Sequence, residues 1–205
     1  MGSTSVKRVT NVSMLSQLKR MAENTPEPVG RLLARVPFSV RLGMPYVNAS
    51  RDIQRFRGLD IAEQQSVIFR RVKAIVEFAF HSVPFYRAFY RSAGFSVDDL
   101  NSFDDIRRIP IVRKNDLQKF DLENRSTRQR GRIKLNTGGT SGQPLTFYVD
   151  RRAFAREWAH MHYVWSHLRY RYTDLKLTLR GRNLGTRTLI YNPVHNEYIV
   201  NSYSP

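Results

Sequence analysis

The residues best suited to chemistry stand together in Thr137-Gly138-Gly139-Thr140-Ser141-Gly142-Gln143-Pro144. Glycine tolerates the turns that point backbone N–H groups inward, and Thr137, Thr140 and Ser141 bring hydroxyls to the same concavity. Such a cradle suits an anion, phosphate oxygens above all. It is not the Walker nucleotide loop, because neither the four-residue gap between glycines nor a Gly-Lys-Ser/Thr ending is present. An ordinary Gly-rich hairpin turn has the same spacing, so the local pattern leaves both readings open. Thr137, Gly138, Gly139, Thr140, Ser141 and Gly142 are the candidate anion-binding residues.

Other reactive side chains point less clearly to a site. His160 and His162 are two apart on an expected helix and face different sides, which defeats a shared metal, while His167 is seven beyond His160. His81 precedes the turn at Pro84, and His195 sits in a turn-like stretch; neither is assigned catalysis, and no metal site is expected. Arg169-Tyr170-Arg171-Tyr172 interleaves cations with aromatic rings, as binders of single-stranded nucleic acid do, and also as a helix end with snorkelling Arg does. Arg125, Arg128, Arg130, Arg132 and Lys134, just upstream of the glycines, form either a phosphate-attracting cluster or a solvated basic loop.

The elements that must position these residues fall into two textures. Residues 1 to 34 read as a loosely ordered arm, because Thr25-Pro26-Glu27-Pro28 cannot continue a helix. From Asp60, the residues Ile61, Ile68, Val72, Ile75, Val76 and Ala79 recur at helical spacing and mark one face, and Pro84 ends that helix. A short helix over Phe85–Tyr90 stops at Gly94, and further turns begin near Ser96, Ser102 and Asn115. After the Arg-rich stretch, Ile133–Leu135 and Leu145–Val149 read as strands on either side of the glycine loop. Phe154, Trp158, Met161, Trp165 and Leu168 then mark the core stripe of another helix. Lys176–Leu179, Leu189–Tyr191 and Glu197–Val200 are short β-prone runs with nothing after them to cover their sheet. The expected organisation is α/β: an arm over 1–34, a helical region over 35–120, and an incomplete α/β region over 121–205.

Composition sets the outer bounds. The chain has 205 residues, 41% hydrophobic and 12% aromatic, which is enough to bury a core. It has no Cys, so disulfides, thiolate metal sites and Cys nucleophiles are excluded, and a reducing cytoplasmic setting is expected. No stretch is long and apolar enough for a membrane span, and residues 1–20 lack the apolar run of a signal peptide. The net charge is +17, with 34 basic and 17 acidic side chains spread along the whole sequence. That excess fits polyanionic partners of several kinds and keeps open a non-enzymatic basic module that binds nucleic acid or other polyanions.

Several segments resemble, in order, the phenylacetate-CoA ligase and CapK-like (capsular polysaccharide) branch of the adenylate-forming enzymes. Arg35-Val36-Pro37-Phe38-Ser39-Val40-Arg41-Leu42-Gly43 resembles the family's opening, and His81-Ser82-Val83-Pro84-Phe85-Tyr86-Arg87 its H-x-V-P-F/Y-Y-R helix end. Leu100–Leu117, with Phe103, Ile109-Pro110 and Lys114-Asn115-Asp116-Leu117, is similar to the segment preceding the phosphate loop. Thr137–Pro144 is similar to the loop T-S-G-S/T-T-G-x-P, and Leu145-Thr146-Phe147-Tyr148 continues as in the capsular branch. Two positions depart from it: Leu145 stands where many acyl-CoA synthetases carry Lys, and Gly138 where Ser is commoner.

The resemblance implies ATP and Mg²⁺ as cofactors, with CoA as a further acceptor, and a small carboxylic acid and a nucleotide as ligands. It implies an acyl-adenylate intermediate and a role in surface-polysaccharide synthesis. The family's later motifs, which are the adenine-stacking aromatic with Thr-Glu, the ribose-binding Asp, the hinge and the C-terminal Lys, have no counterpart before Pro205. The expectation is therefore an N-terminal fragment that is inactive alone and that self-associates through its uncovered strands.

Overall fold

The computed structural model describes residues 27–137 and 144–203. In chain order the helices are α1 (Glu27–Leu33), α2 (Phe38–Arg41), α3 (Gly43–Arg57), α4 (Ile61–Ser82), α5 (Pro84–Ser92), α6 (Lys114–Gln118) and α7 (Arg152–Ser166). The strands are β1 (Arg132–Asn136), β2 (Thr146–Asp150), β3 (Lys176–Arg182), β4 (Leu189–Asn192) and β5 (Glu197–Asn201). Helices and small sheets are thus mixed, in keeping with an α/β class. Two compact units emerge, one of Ala49–Glu157 and one of the residues up to Asn48 with those from Trp158 onward.

In the first of these units, Asp60 starts α4 through a capping box. Its carboxylate accepts from the Glu63 N–H at 2.8 Å, and the Glu63 carboxylate accepts from the Asp60 N–H at 3.0 Å. Pro84, which has no N–H to lose, opens α5 directly behind α4, and Gly94 ends the following turn at φ +67°. Val76 of α4 joins Tyr90, Phe95, Val97 and Leu100 in the core, with Phe69, Val72 and Phe80 packed against them.

The buried face of α4 is therefore turned away from the isoleucine row expected from spacing. Ile61, Ile68 and Ile75 are 76%, 37% and 69% exposed. The aromatic rings explain the rotation, since Phe69 and Phe80 offer more area to Tyr90 and Phe95 than the isoleucines do. Arg132↔Asp150 through Asn136↔Thr146 set the antiparallel register of the β1–β2 hairpin.

In the other unit β5 is central, with β3 parallel on one side and β4 antiparallel on the other. Glu197, Ile199 and Asn201 point from β5 to the buried face. On the opposite face, α1 packs over Tyr191 so closely that a Cβ on Gly30 would lie 2.6 Å from the ring. Helix α1 also corrects one reading of the arm: Pro28 does not bar a helix but sits in the first turn of one. The stripe expected on α7 is shifted as well. Phe154, Met161 and Leu168 are exposed, and Ala159 and His162 are the buried residues of the helix. The inward side of α7 is chosen by aromatic and polar partners from distant segments, which periodicity cannot register.

Candidate functional site: the tip of the β1–β2 hairpin

Hairpin pairing continues one step past the strands before the glycine stretch begins. The Thr137 N–H donates to the Leu145 carbonyl at 2.9 Å, and the Leu145 N–H donates to Thr137 Oγ1 at 2.9 Å. Just below, the Thr146 hydroxyl donates to Asn136 Oδ1 at 2.8 Å. Thr137 therefore closes the mouth of the loop, and because its oxygen is the acceptor there, its hydroxyl proton is left to donate elsewhere. Gly138, Gly139, Thr140, Ser141 and Gly142 lie outside the described residues. Residues 137–144 include no carboxylate, so the stretch offers N–H and hydroxyl donors suited to phosphate oxygens and no acidic ligand for a divalent cation.

Much of the upstream basic cluster is occupied in building the hairpin. Arg125 donates to the Thr146 carbonyl at 2.6 Å and to the Phe120 carbonyl at 3.3 Å. Arg132 donates to both oxygens of Glu123 at 2.8 and 2.6 Å, and its guanidinium lies 3.8 Å from the centre of the Tyr148 ring. The Tyr148 hydroxyl completes this group by donating to Glu123 at 3.0 Å. Together Arg132 and Tyr148 hold the Glu123 carboxyl below its usual range. At the far end of β2, the side chain and N–H of Arg152 lower Asp150 to about 2. Arg128, Arg130 and Lys134 remain exposed.

A segment of 87 residues, 41% of this chain, is 32% identical to phenylacetate-coenzyme A ligase of Escherichia coli (strain K12). This likeness supports a link to the adenylate-forming enzymes. The match spans 20% of the ligase's length. No protein-family model matches the chain. Among the described residues, no helix is long and apolar enough to cross a membrane.

His160 is exposed, whereas His162, on the other side of α7, is buried. The His162 ring stacks on Phe38 with centroids 3.9 Å apart, and its Nδ1 lies 3.1 Å from the Tyr46 hydroxyl. Arg41 lies over Phe38 at 4.1 Å and donates to the carbonyls of Pro193 and Val194. Lys176 sits 4.7 Å from the centre of the Trp158 ring, and Trp158 stacks on His195.

Burial first, and then the charges of Lys176, His195 and Arg41, push the His162 imidazole down to about 3. A base that weak is a poor proton acceptor at neutral pH, so His162 acts here as a neutral packing group. Burial likewise pushes the Tyr170 phenol up to about 12, so the ring that had suggested nucleic-acid stacking is partly withdrawn from solvent. The sequence signal for this cluster was weak, because Phe38, Tyr46, His162, Lys176 and His195 come from separate segments.

Proposed function

We propose that this chain supplies the phosphate-cradling N-terminal part of an ATP-dependent ligase that activates a small carboxylic acid. The observation that carries the reading is the reciprocal Thr137–Leu145 closure, which brings together the two residues that bracket the Gly/Thr/Ser stretch. The partial likeness to phenylacetate-coenzyme A ligase supports the same chemistry. In the reaction, a substrate carboxylate oxygen attacks the α-phosphorus of ATP, the bond to the β-phosphate oxygen breaks, and pyrophosphate leaves.

The chain's contribution is to bind and orient phosphate oxygens through the Thr137 hydroxyl, the Thr140 and Ser141 hydroxyls and the glycine N–H groups of 138–142. Donors fixed before reaction stabilise charge developing on the transferred group. Mg²⁺ would be held by the phosphates and by residues outside this loop. Transfer of the acyl group to CoA, and a place in surface-polysaccharide synthesis, belong to the same proposal. So does the reading of residues 1–205 as incomplete for catalysis.

The test is exchange of labelled pyrophosphate into ATP over a panel of aryl and alkyl acids, using the reading frame extended beyond residue 205 and, separately, residues 1–205. Exchange by the extended protein with at least one acid, and none by residues 1–205, is expected. Exchange by the short chain would overturn its incompleteness. Absence of exchange with every acid in both would overturn the ligase reading.

A further inference from the structure

Helices α3 and α4 leave between them an open groove of about 430 Å³. Phe56, Leu59 and Val67, all half-buried, line it together with Ala74. Above that apolar floor stand the exposed guanidiniums of Arg55, Arg70 and Arg71. The carboxylate lining the groove, Asp52, is held by Arg71 at 3.4 Å, which leaves Arg55 and Arg70 without a carboxylate partner among the described residues. Ile68 and Ile75 follow Val67 and Ala74 in sequence, so they stand about 100° further round α4 and extend the apolar strip beyond the rim. They are 37% and 69% exposed.

We infer that this groove docks an acidic amphipathic helix of a protein partner. On α4 its lining runs over two turns, from Val67 to Ala74, about 10 Å at 1.5 Å per residue, which matches apolar anchors at i, i+3 or i+4, and i+7 on an incoming helix. Charge complementarity selects the occupant. A cationic rim over an apolar floor is met by Glu or Asp flanking a row of Leu. A second copy of this chain, at +17, brings the wrong sign. A nucleic-acid backbone would satisfy the guanidiniums but would leave Leu59, Val67 and the isoleucines against water.

The probe is a fluorescein-labelled synthetic helix with Leu at those anchor positions and Glu elsewhere. It is compared with a scrambled peptide of identical composition and with a single-stranded oligonucleotide, all titrated into the full chain by anisotropy. The ordered peptide is expected to bind at least ten-fold tighter than the scrambled one. Arg55→Glu/Arg70→Glu is expected to weaken it at least ten-fold, and Ile68→Ser/Ile75→Ser at least three-fold. Arg107→Glu/Arg108→Glu, which changes the charge equally outside the groove, should have less than a three-fold effect.

Both isoleucines are already exposed, so their replacement tests docking without threatening the fold, and thermal melts of each variant check this. Equal binding of the two peptides, or equal loss from both charge-reversal pairs, would overturn the proposal. So would an oligonucleotide whose binding is tighter and depends on Arg55 and Arg70.

Discussion

Thr137 and Leu145 hold each other twice, backbone to backbone and hydroxyl to backbone, both at 2.9 Å. The second bond is made by a side chain, so it can be removed without disturbing the ladder. Thr137→Val keeps the shape and loses the acceptor, and one neutral hydrogen bond is worth about 1 kcal/mol. Amide exchange at Leu145 should therefore speed up about five-fold in Thr137→Val and stay near the parent rate in Thr137→Ser. Equal exchange in all three would show that the hydroxyl does not close the loop.

Lys176 and Glu197 are opposed in the parallel β3–β5 register, with Nζ 3.9 Å from the carboxylate. The Glu197 carboxylate is buried and also accepts from Thr178 at 2.8 Å and from Asn192 at 2.9 Å. Glu197→Leu removes the acceptor from all three at once and should cost about 3–5 kcal/mol, the range found when a buried pair is broken on one side. Lys176→Met/Glu197→Leu should cost clearly less than the sum of the single changes. Additive losses in denaturant unfolding would mean the two groups act independently.

His162 gives the fold a pH dependence of known sign. An unfolded histidine titrates near 6.5, and the folded one is pushed down to about 3. Between those values the unfolded chain binds more protons, so stability falls as pH falls, by at most about 1.4 kcal/mol per pH unit from this group. Denaturation midpoints should drop from pH 7 to pH 4.5 in the parent protein. His162→Phe, which keeps a ring beside Phe38 and cannot take a proton, should drop less. Identical slopes would remove His162 as the source.

Leu177 and Leu179 on the edge strand β3 are 64% and 71% exposed, and Leu189 on the opposite edge strand β4 is 44% exposed. An exposed apolar edge is a template for another strand. Sedimentation should show concentration-dependent association of the parent chain, reduced in Leu177→Thr/Leu179→Thr. Parent and variant sedimenting alike as monomers would refute this.

Local signals made most elements legible. Asp60, Pro84 and Gly94 mark boundaries through starts and breakers that act within a few residues. The Ile133 and Leu145 runs, and the three later β-prone runs, appear as strands within a residue or so of the expected limits, except that β3 runs on to Arg182. What spacing misplaced were helix faces. The isoleucine row of α4 and the Phe154, Met161, Leu168 row of α7 have the right period, yet their burial depends on rings supplied from elsewhere in the chain. The same limit hid the cluster around His162, whose partners Phe38 and Tyr46 are more than a hundred residues away in sequence. For the candidate site, sequence marked the glycine loop, and geometry added the closing role of Thr137.

Thr140 and Ser141 carry the last and most direct test of the proposed chemistry. Their short hydroxyls are flanked by Gly139 and Gly142, and Pro144 stiffens the exit from the loop. In the extended protein, Thr140→Ala/Ser141→Ala should slow pyrophosphate exchange far more than it lowers the melting temperature. Each hydroxyl contact to a charged oxygen is worth about 1.5–3 kcal/mol, or roughly ten- to a hundred-fold in rate when made in the transition state. Hydroxyls without folding contacts contribute much less to stability. Restoring Ser at position 140 alone should recover part of the rate, since the donor returns without the methyl group. Unchanged exchange with a lowered melting temperature would make the stretch a structural turn, and the ligase reading would then lose the residues that bind its nucleotide.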